Sequence, residues 1–253
     1  MFKRAIVRRP CPEMVAGLTT AKLGPPDYQQ ALKQHDMYSA ALETCGLELS
    51  VLEADSRHPD STFVEDTALL TPHCAIITRP GAPSRQAEVE AIQPVVASFY
   101  DVLEFITPPG TLEAGDVMMV GRHFFIGLSA RTNAPGAEQL IKLLEKYDLT
   151  GSTVTLKEML HLKTGVSYLE HNCLVVTGEL VAEPAFQKFD KVEIAPEEAY
   201  AANCVWINDR VLLPAGYPGA KRAIEAAGYE TLELDVSEFR KLDGGLSCLS
   251  LRF

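Results

Sequence analysis

Cys248 stands three residues after Gly244-Gly245, in the run Asp243-Gly244-Gly245-Leu246-Ser247-Cys248. Glycines at such a place let backbone approach a ligand closely. A free cysteine is usually a small apolar packing residue. A cysteine that does chemistry needs a partner able to give and take a proton near neutrality, which histidine offers. There are six histidines: His35 lies in a polar helical stretch, His58 and His73 sit beside prolines at turns, His123 begins a strand, and His171 adjoins Asn172. His161 differs, being polar inside the apolar run Met159-Leu160-His161-Leu162. It is either a hydrogen-bonded core residue or the proton carrier for a thiol.

Glu65-Asp66 and Glu113 with Asp116 are acids set into apolar strand starts. Desolvation there raises a carboxyl pKa unless a cation or hydrogen-bond donors offset it. A guanidinium is a planar fork of N–H donors that carboxylates match in pairs. Four such acids converging on one cavity would suit a guanidinium ligand, with buried ion pairs to Arg79, Arg85 or Arg131 as the purely structural alternative.

Convergence requires elements that bring these residues together, and the chain has an internal echo able to do so. Its pattern is a polar lead-in, an apolar strand, a turn, a second apolar strand, then often a Gly/Pro break and an amphipathic helix. It appears at Val64-Glu65-Asp66-Thr67-Ala68-Leu69-Leu70 with strand Cys74 to Thr78 and a helix near Gln86 to Phe99. It recurs at Glu113-Ala114-Gly115-Asp116-Val117-Met118-Met119-Val120 with strand His123 to Gly127 and helix Ala134 to Tyr147. A third copy is expected at Glu170-His171-Asn172-Cys173 with a second strand Leu180 to Ala182, and a fourth at Ala202-Asn203-Cys204 with strand Arg210 to Leu213. The segment Ser247 to Phe253 supplies one strand of a fifth copy, whose missing strand is Phe2 to Arg8. A ring of such units points equivalent positions at its axis, so Asp66, Asp116, Asn172, Asn203 and Cys248 are expected at one central cavity.

The composition fits a soluble globular protein of one or two domains: 253 residues, 47% hydrophobic and 23% charged. Its 34 acidic against 23 basic residues leave a net charge of −11, which repels polyanions and argues against nucleic acid as a partner. A small cation is the natural complement. No apolar stretch approaches membrane-spanning length, and Met1-Phe2-Lys3-Arg4 leads only three apolar residues, so neither membrane association nor a targeting segment is expected. Cys11, Cys45, Cys74, Cys173, Cys204 and Cys248 show no paired short spacing and read as reduced thiols of a cytoplasmic protein.

Phe63-Val64-Glu65-Asp66-Thr67, Leu112-Glu113-Ala114-Gly115-Asp116, Ser129-Ala130-Arg131-Thr132-Asn133, His161-Leu162-Lys163-Thr164-Gly165 and Asp243 to Cys248 resemble, in order, the signature set of the dimethylarginine dimethylaminohydrolases. These are members of the guanidine-modifying, or pentein, superfamily. The likeness extends to Ala201-Ala202-Asn203-Cys204 and Pro214 to Pro218, covers essentially the whole chain, and is nearest to the short bacterial form. It implies the α/β pentein fold, a five-bladed pseudo-symmetric propeller of ββαβ modules, in a single catalytic domain over 1–253 whose terminal strands complete one module. It further implies hydrolysis of Nω-methylated arginines to citrulline and a methylamine through a covalent thiouronium on cysteine, with neither metal nor organic cofactor.

By the matching positions, Cys248 is the nucleophile, His161 the general acid and base, and Glu113 its carboxylate partner. Asp66 grips the guanidinium with Glu65 nearby, and Asp116 is a supporting acid. Asp60, Arg85 and Arg131 match residues that hold the amino-acid end, the arginines facing its carboxylate. Leu18 lies in a stretch, Gly17 to Pro26, that resembles a mobile lid, and the backbone of Leu242 lines the pocket. Leu249 stands where many relatives have Met, a residue of similar volume. Two other functions remain as alternatives. Arginine deiminases hydrolyse unmethylated arginine with the same residues but usually on a longer chain, and a silent guanidino-amino-acid binder would make Cys248 and His161 accidental. A homodimer through a propeller edge stays open.

Overall fold

Five short runs are apolar without interruption: Ala5-Ile6-Val7, Ala75-Ile76-Ile77, Phe124-Phe125-Ile126, Leu174-Val175-Val176 and Val211-Leu212-Leu213. Each lies in the middle strand of a three-stranded sheet in the computed structural model, which describes residues 1–253. In chain order the strands are β1 (Arg4–Arg8) and β2 (Glu48–Leu52); β3 (Ala68–Leu70), β4 (Ala75–Ile77) and β5 (Leu103–Phe105); β6 (Val117–Val120), β7 (His123–Leu128) and β8 (Thr150–Thr155). They continue with β9 (Val166–Tyr168), β10 (Cys173–Val176) and β11 (Asp190–Glu193); β12 (Val205–Ile207), β13 (Arg210–Pro214) and β14 (Glu230–Leu234); and β15 (Leu251–Arg252). Four sheets follow the chain, and the fifth has the order β15-β1-β2. In every sheet the first pair is antiparallel and the last parallel, and Ile6 opposite Leu251 marks the pairing of the first and last strands.

A parallel return needs a crossover. The helices α1 (Tyr28–Thr44), α2 (Glu88–Ala97), α3 (Ala134–Glu145) and, after the single turn α4 (Leu162–Gly165), α5 (Pro218–Ala226) precede the outer strands of four sheets. Asp27 and Asn133 cap α1 and α3 by accepting from the backbone N–H groups of Gln30 and Gly136. The third sheet crosses over through two short 3-10 turns, Gly178–Ala182 and Pro184–Phe186.

Alternate residues of a strand point to opposite faces. The middle strands are buried on both, because every blade packs against two neighbours. Phe124 and Ile126 join Ile76, Leu140 and Leu144 in one apolar cluster, while Phe125 between them joins Val154, Val166 and Val176 in the next. Val7 packs with Ile207 and Leu212, and Ile6 with Val64 and Ile77. Cys173, Val175, Val211 and Leu213 share the fifth cluster. Five clusters therefore lie between five blades, and the ring closes as a five-bladed α/β propeller of ββαβ modules, as expected. No helix is long and apolar enough to cross a membrane.

The expected third copy is displaced by one strand. Cys173–Val176 is the middle strand of its blade, Leu180 to Ala182 lies in a 3-10 turn, and Asn172 sits in the exposed β9–β10 turn with a φ of 63°. The lead-in is instead α4, where Thr164 precedes the first paired residue Val166 by two, as Asp66 precedes Ala68 and Asn203 precedes Val205. A strand buried on both faces has no polar alternation to tell first from middle, and the polar turn Glu170-His171-Asn172 imitates a lead-in.

Candidate active site

Before the first strand of each blade the chain makes a short helical turn: Val64–Thr67, Ala114–Asp116, Leu162–Gly165, Pro196–Ala202 and Ser247–Leu249. Neighbouring turns touch around the axis. Beside them opens a cavity of 260 Å³ lined by Leu18, Thr19, Thr20, Asp60, Phe63, Asp66, Arg85, Glu113, Arg131, Leu160, His161, Leu242, Asp243, Gly244 and Cys248. A space of 40 Å³ on another side of Cys248 is bounded by Gly115, Thr164, Tyr200 and Asn203.

His161 donates from Nε2 to Glu113 Oε2 at 2.7 Å. Glu113 has no exposed surface. Its other oxygen accepts from the backbone N–H groups of Gly81 at 3.0 Å and Ala82 at 3.3 Å and from Arg131 at 3.4 Å. Burial alone would raise the Glu113 pKa, but His161 and the two arginines hold it well below the usual carboxylate range. Burial likewise works to lower His161, and the carboxylates of Asp66, Glu113 and Asp116 outweigh it, raising its pKa to about 9.

Cys248 is half-buried, with its thiol 3.4 Å from the Gly245 N–H. Burial, with the negative charges of Glu65 and Asp66, pushes its pKa up to about 12. At neutral pH the resting site therefore holds a thiol beside an imidazolium. Gly115 lies between the acid and the base: its N–H donates to Asp66 Oδ1 at 3.0 Å, and a Cβ there would stand 3.0 Å from His161 Nδ1.

Asp66 also accepts from Arg85 at 2.6 Å. Arg85, buried, forks onto Glu88 at 2.8 to 3.2 Å and donates to the Phe63 carbonyl at 2.9 Å. The ion pair weighed as an alternative to ligand binding is thus present, and both readings meet in one side chain. Arg131 keeps 20% of its side chain exposed and reaches into the cavity. Asp60 accepts from the Leu18 N–H at 3.0 Å, and burial raises its pKa. Asp66, Glu113 and His161 bring ligand atoms within 4.8 Å of one another, a cluster that suits a cation.

Of the four acids expected to converge, two do not line the cavity. Glu65 turns to the far side of the Cys248 turn, where it binds Lys163 at 2.6 Å, Arg252 at 3.0 Å and the Ser247 hydroxyl at 2.8 Å. Asp116 is fully buried and accepts from Ser129 at 2.7 Å and from the Leu162 N–H at 2.9 Å, which anchors α4 next to His161. Two half-buried cationic partners suffice to satisfy Glu65, and a hydroxyl and a backbone N–H satisfy Asp116. Asn203 is near the axis but holds the backbone of the Cys248 turn, accepting from the Ser247 N–H at 3.0 Å. Asp60 and Asp243 are the acids that join Asp66 and Glu113 in the cavity. Phe63, Thr19, Thr20, Leu160 and Asp243 were not singled out from sequence. Phe63 and Asp243 open two of the motifs, and the threonines lie in the lid stretch.

A family model described as "Arginine deiminase" matches residues 57–210. The N(G),N(G)-dimethylarginine dimethylaminohydrolase of Pseudomonas aeruginosa is 56% identical over 254 residues, covering 100% of both chains. A solved structure of that bacterium's enzyme, a cysteine-to-serine mutant complexed with citrulline, superposes with a TM-score of 0.99 at 56% identity and 100% coverage of each chain. So does a histidine-to-glycine dimethylarginine dimethylaminohydrolase captured as an adduct with S-methyl-L-thiocitrulline, with a TM-score of 0.99, 56% identity and 100% coverage of both.

Proposed function

This chain belongs to the dimethylarginine dimethylaminohydrolase family, and on that premise we propose that it hydrolyses Nω-methylated arginines to citrulline and dimethylamine or methylamine. It does so as a single catalytic domain over residues 1–253, through a covalent adduct on Cys248. The observation that carries this reading is the meeting of Cys248, the His161–Glu113 pair and Asp66 in one cavity that also holds two arginines. A cation with a carboxylate at its far end fits that distribution of charge.

The guanidinium docks on Asp66, and its charge offsets the carboxylates that hold the Cys248 thiol protonated. The thiol proton passes to solvent, and Sγ forms a bond to the guanidinium carbon, giving a tetrahedral adduct. His161, protonated at rest, gives its proton to the departing nitrogen; the C–N bond breaks and the methylamine leaves. The planar thiouronium that remains is attacked by water, whose proton passes to His161. The C–S bond then breaks as the proton of the added hydroxyl passes to sulfur, releasing citrulline and restoring the Cys248 thiol. Glu113 stabilises the imidazolium at 2.7 Å. The 40 Å³ space beside the thiol is large enough for a water molecule.

Arg85 and Arg131 supply positive charge for the substrate carboxylate, Arg85 also fixing Asp66, while Asp60 and the backbone of Leu18 and Leu242 meet the amino-acid end. Glu65 acts from beneath, through Ser247. The six free thiols suit the reducing cytoplasm. The test is parallel incubation with asymmetric dimethylarginine and arginine, reading dimethylamine and citrulline. Multiple turnovers with a preference for the methylated substrate are expected. Preference for arginine would make the chain an arginine deiminase, and sub-stoichiometric citrulline from both would make it a binding protein.

A further inference from the structure

Asp243 lines the cavity, yet the chemistry above gives its carboxylate no task. It lies on the loop that carries the thiol, between Leu242 and Gly244. Its backbone is left-handed, with a φ of 58°, which a residue bearing a Cβ adopts at a cost unless its surroundings hold it there. What its side chain holds is the lid. Oδ2 accepts from the Thr20 N–H at 2.5 Å and from the Thr20 hydroxyl at 3.0 Å. Beside it the Thr19 hydroxyl donates to the Lys241 carbonyl at 2.8 Å.

The lid has little else to keep it down. From Leu18 to Pro25 it forms no helix or strand, and every residue but Ala21 is exposed. With so little apolar burial to oppose chain entropy, its closed position depends on polar contacts, and those to a carboxylate are the strong ones. There are two: Asp60 holds the Leu18 N–H at one rim and Asp243 holds Thr20 at the other.

We propose that Asp243 is a positioning residue: through Thr20 it latches the lid over the amino-acid end of the substrate and ties closure to the loop that presents Cys248. The proposal rests on reading this cavity as the methylarginine site. Loosening the latch weakens the hold on the amino-acid end while leaving the reacting carbon among the same groups. KM then rises by more than kcat falls.

Lys22 is an exposed lid residue followed by Leu23, so tryptic cleavage after Lys22 reads lid opening without any turnover. Asp243→Gly removes the latch and accepts the left-handed backbone without strain. Asp243→Asn tolerates the same φ and keeps an acceptor. Cleavage after Lys22 is expected to be about tenfold faster in Asp243→Gly, with KM up about tenfold, the worth of a charged hydrogen bond. Asp243→Asn recovers most of both. Wild-type cleavage rate and KM in Asp243→Gly would overturn the proposal, as would a loss confined to kcat with the lid equally protected. If the wild type forms no citrulline from dimethylarginine, the functional reading fails, while the cleavage comparison still decides the latch.

Discussion

Two side chains at the centre of this molecule hold their protons to a higher pH than their free counterparts do. Cys248 keeps its proton toward pH 12 because it is buried beside Glu65 and Asp66, and His161 keeps a second one toward pH 9 because three carboxylates outweigh its own burial. Removing the thiol removes the route: Cys248→Ser is expected to show no measurable citrulline release, and near-wild-type turnover would eliminate the covalent mechanism. The histidine has a consequence for stability as well. Its folded pKa is raised from 6.5, so protonated His161 contributes fully below about pH 6.5, and the contribution disappears as pH rises through about 9. The melting temperature should fall across that window. His161→Asn should flatten the fall, and an unchanged slope would mean that other groups govern it.

At the scale of elements, the short turns ahead of each inner strand do most of the positioning. Asp116 does its work by gripping the first N–H of α4, so an acid with no exposed surface sets where the neighbouring His161 ring stands. Gly115 belongs to the same turn and must remain without a side chain. A Cβ would come 2.8 Å from Asp66 Oδ1 and 3.0 Å from His161 Nδ1. Gly115→Ala therefore pushes Asp66 and His161 apart. We expect kcat to drop at least about tenfold, since a displacement near 1 Å at reacting groups costs that much or more. Circular dichroism and the melting temperature should stay close to wild type; unchanged kcat would show that the turn can yield.

The whole molecule is a ring, and its closure lies near the site. β15 pairs with β1 only a few residues after Cys248, and Phe253 packs against Phe99 and Tyr100 of the next blade at ring-centroid distances of 5.1 and 5.6 Å. Phe253→Ala should cost about 2 kcal/mol, less than a fully buried phenylalanine because this one is half-buried. It should also lower kcat, because the strand it anchors holds the thiol turn. Denaturant unfolding with a parallel citrulline assay measures both, and a stability loss without any change in kcat would separate ring closure from the site.

Much of this was legible in the residues alone. The motifs around Glu113, His161 and Cys248 identified the family, and apolar runs punctuated by turns showed repeating strand pairs, because local pattern reports local structure. The register of the third copy was not legible, since β10 is buried on both faces and carries no alternation. Nor was the sharing of charge. In sequence Glu65 and Asp66 are neighbours of one type, yet Asp66 faces the cavity while Glu65 turns to Lys163 and Arg252, and Asp60 and Asp243 take the cavity positions given to Glu65 and Asp116. Sequence by itself determined which chemical groups this protein possesses and the modules that carry them. Which carboxylates meet a ligand and which are spent on internal cations depended on how five turns from distant parts of the chain meet at one axis, and only the closed ring decides that.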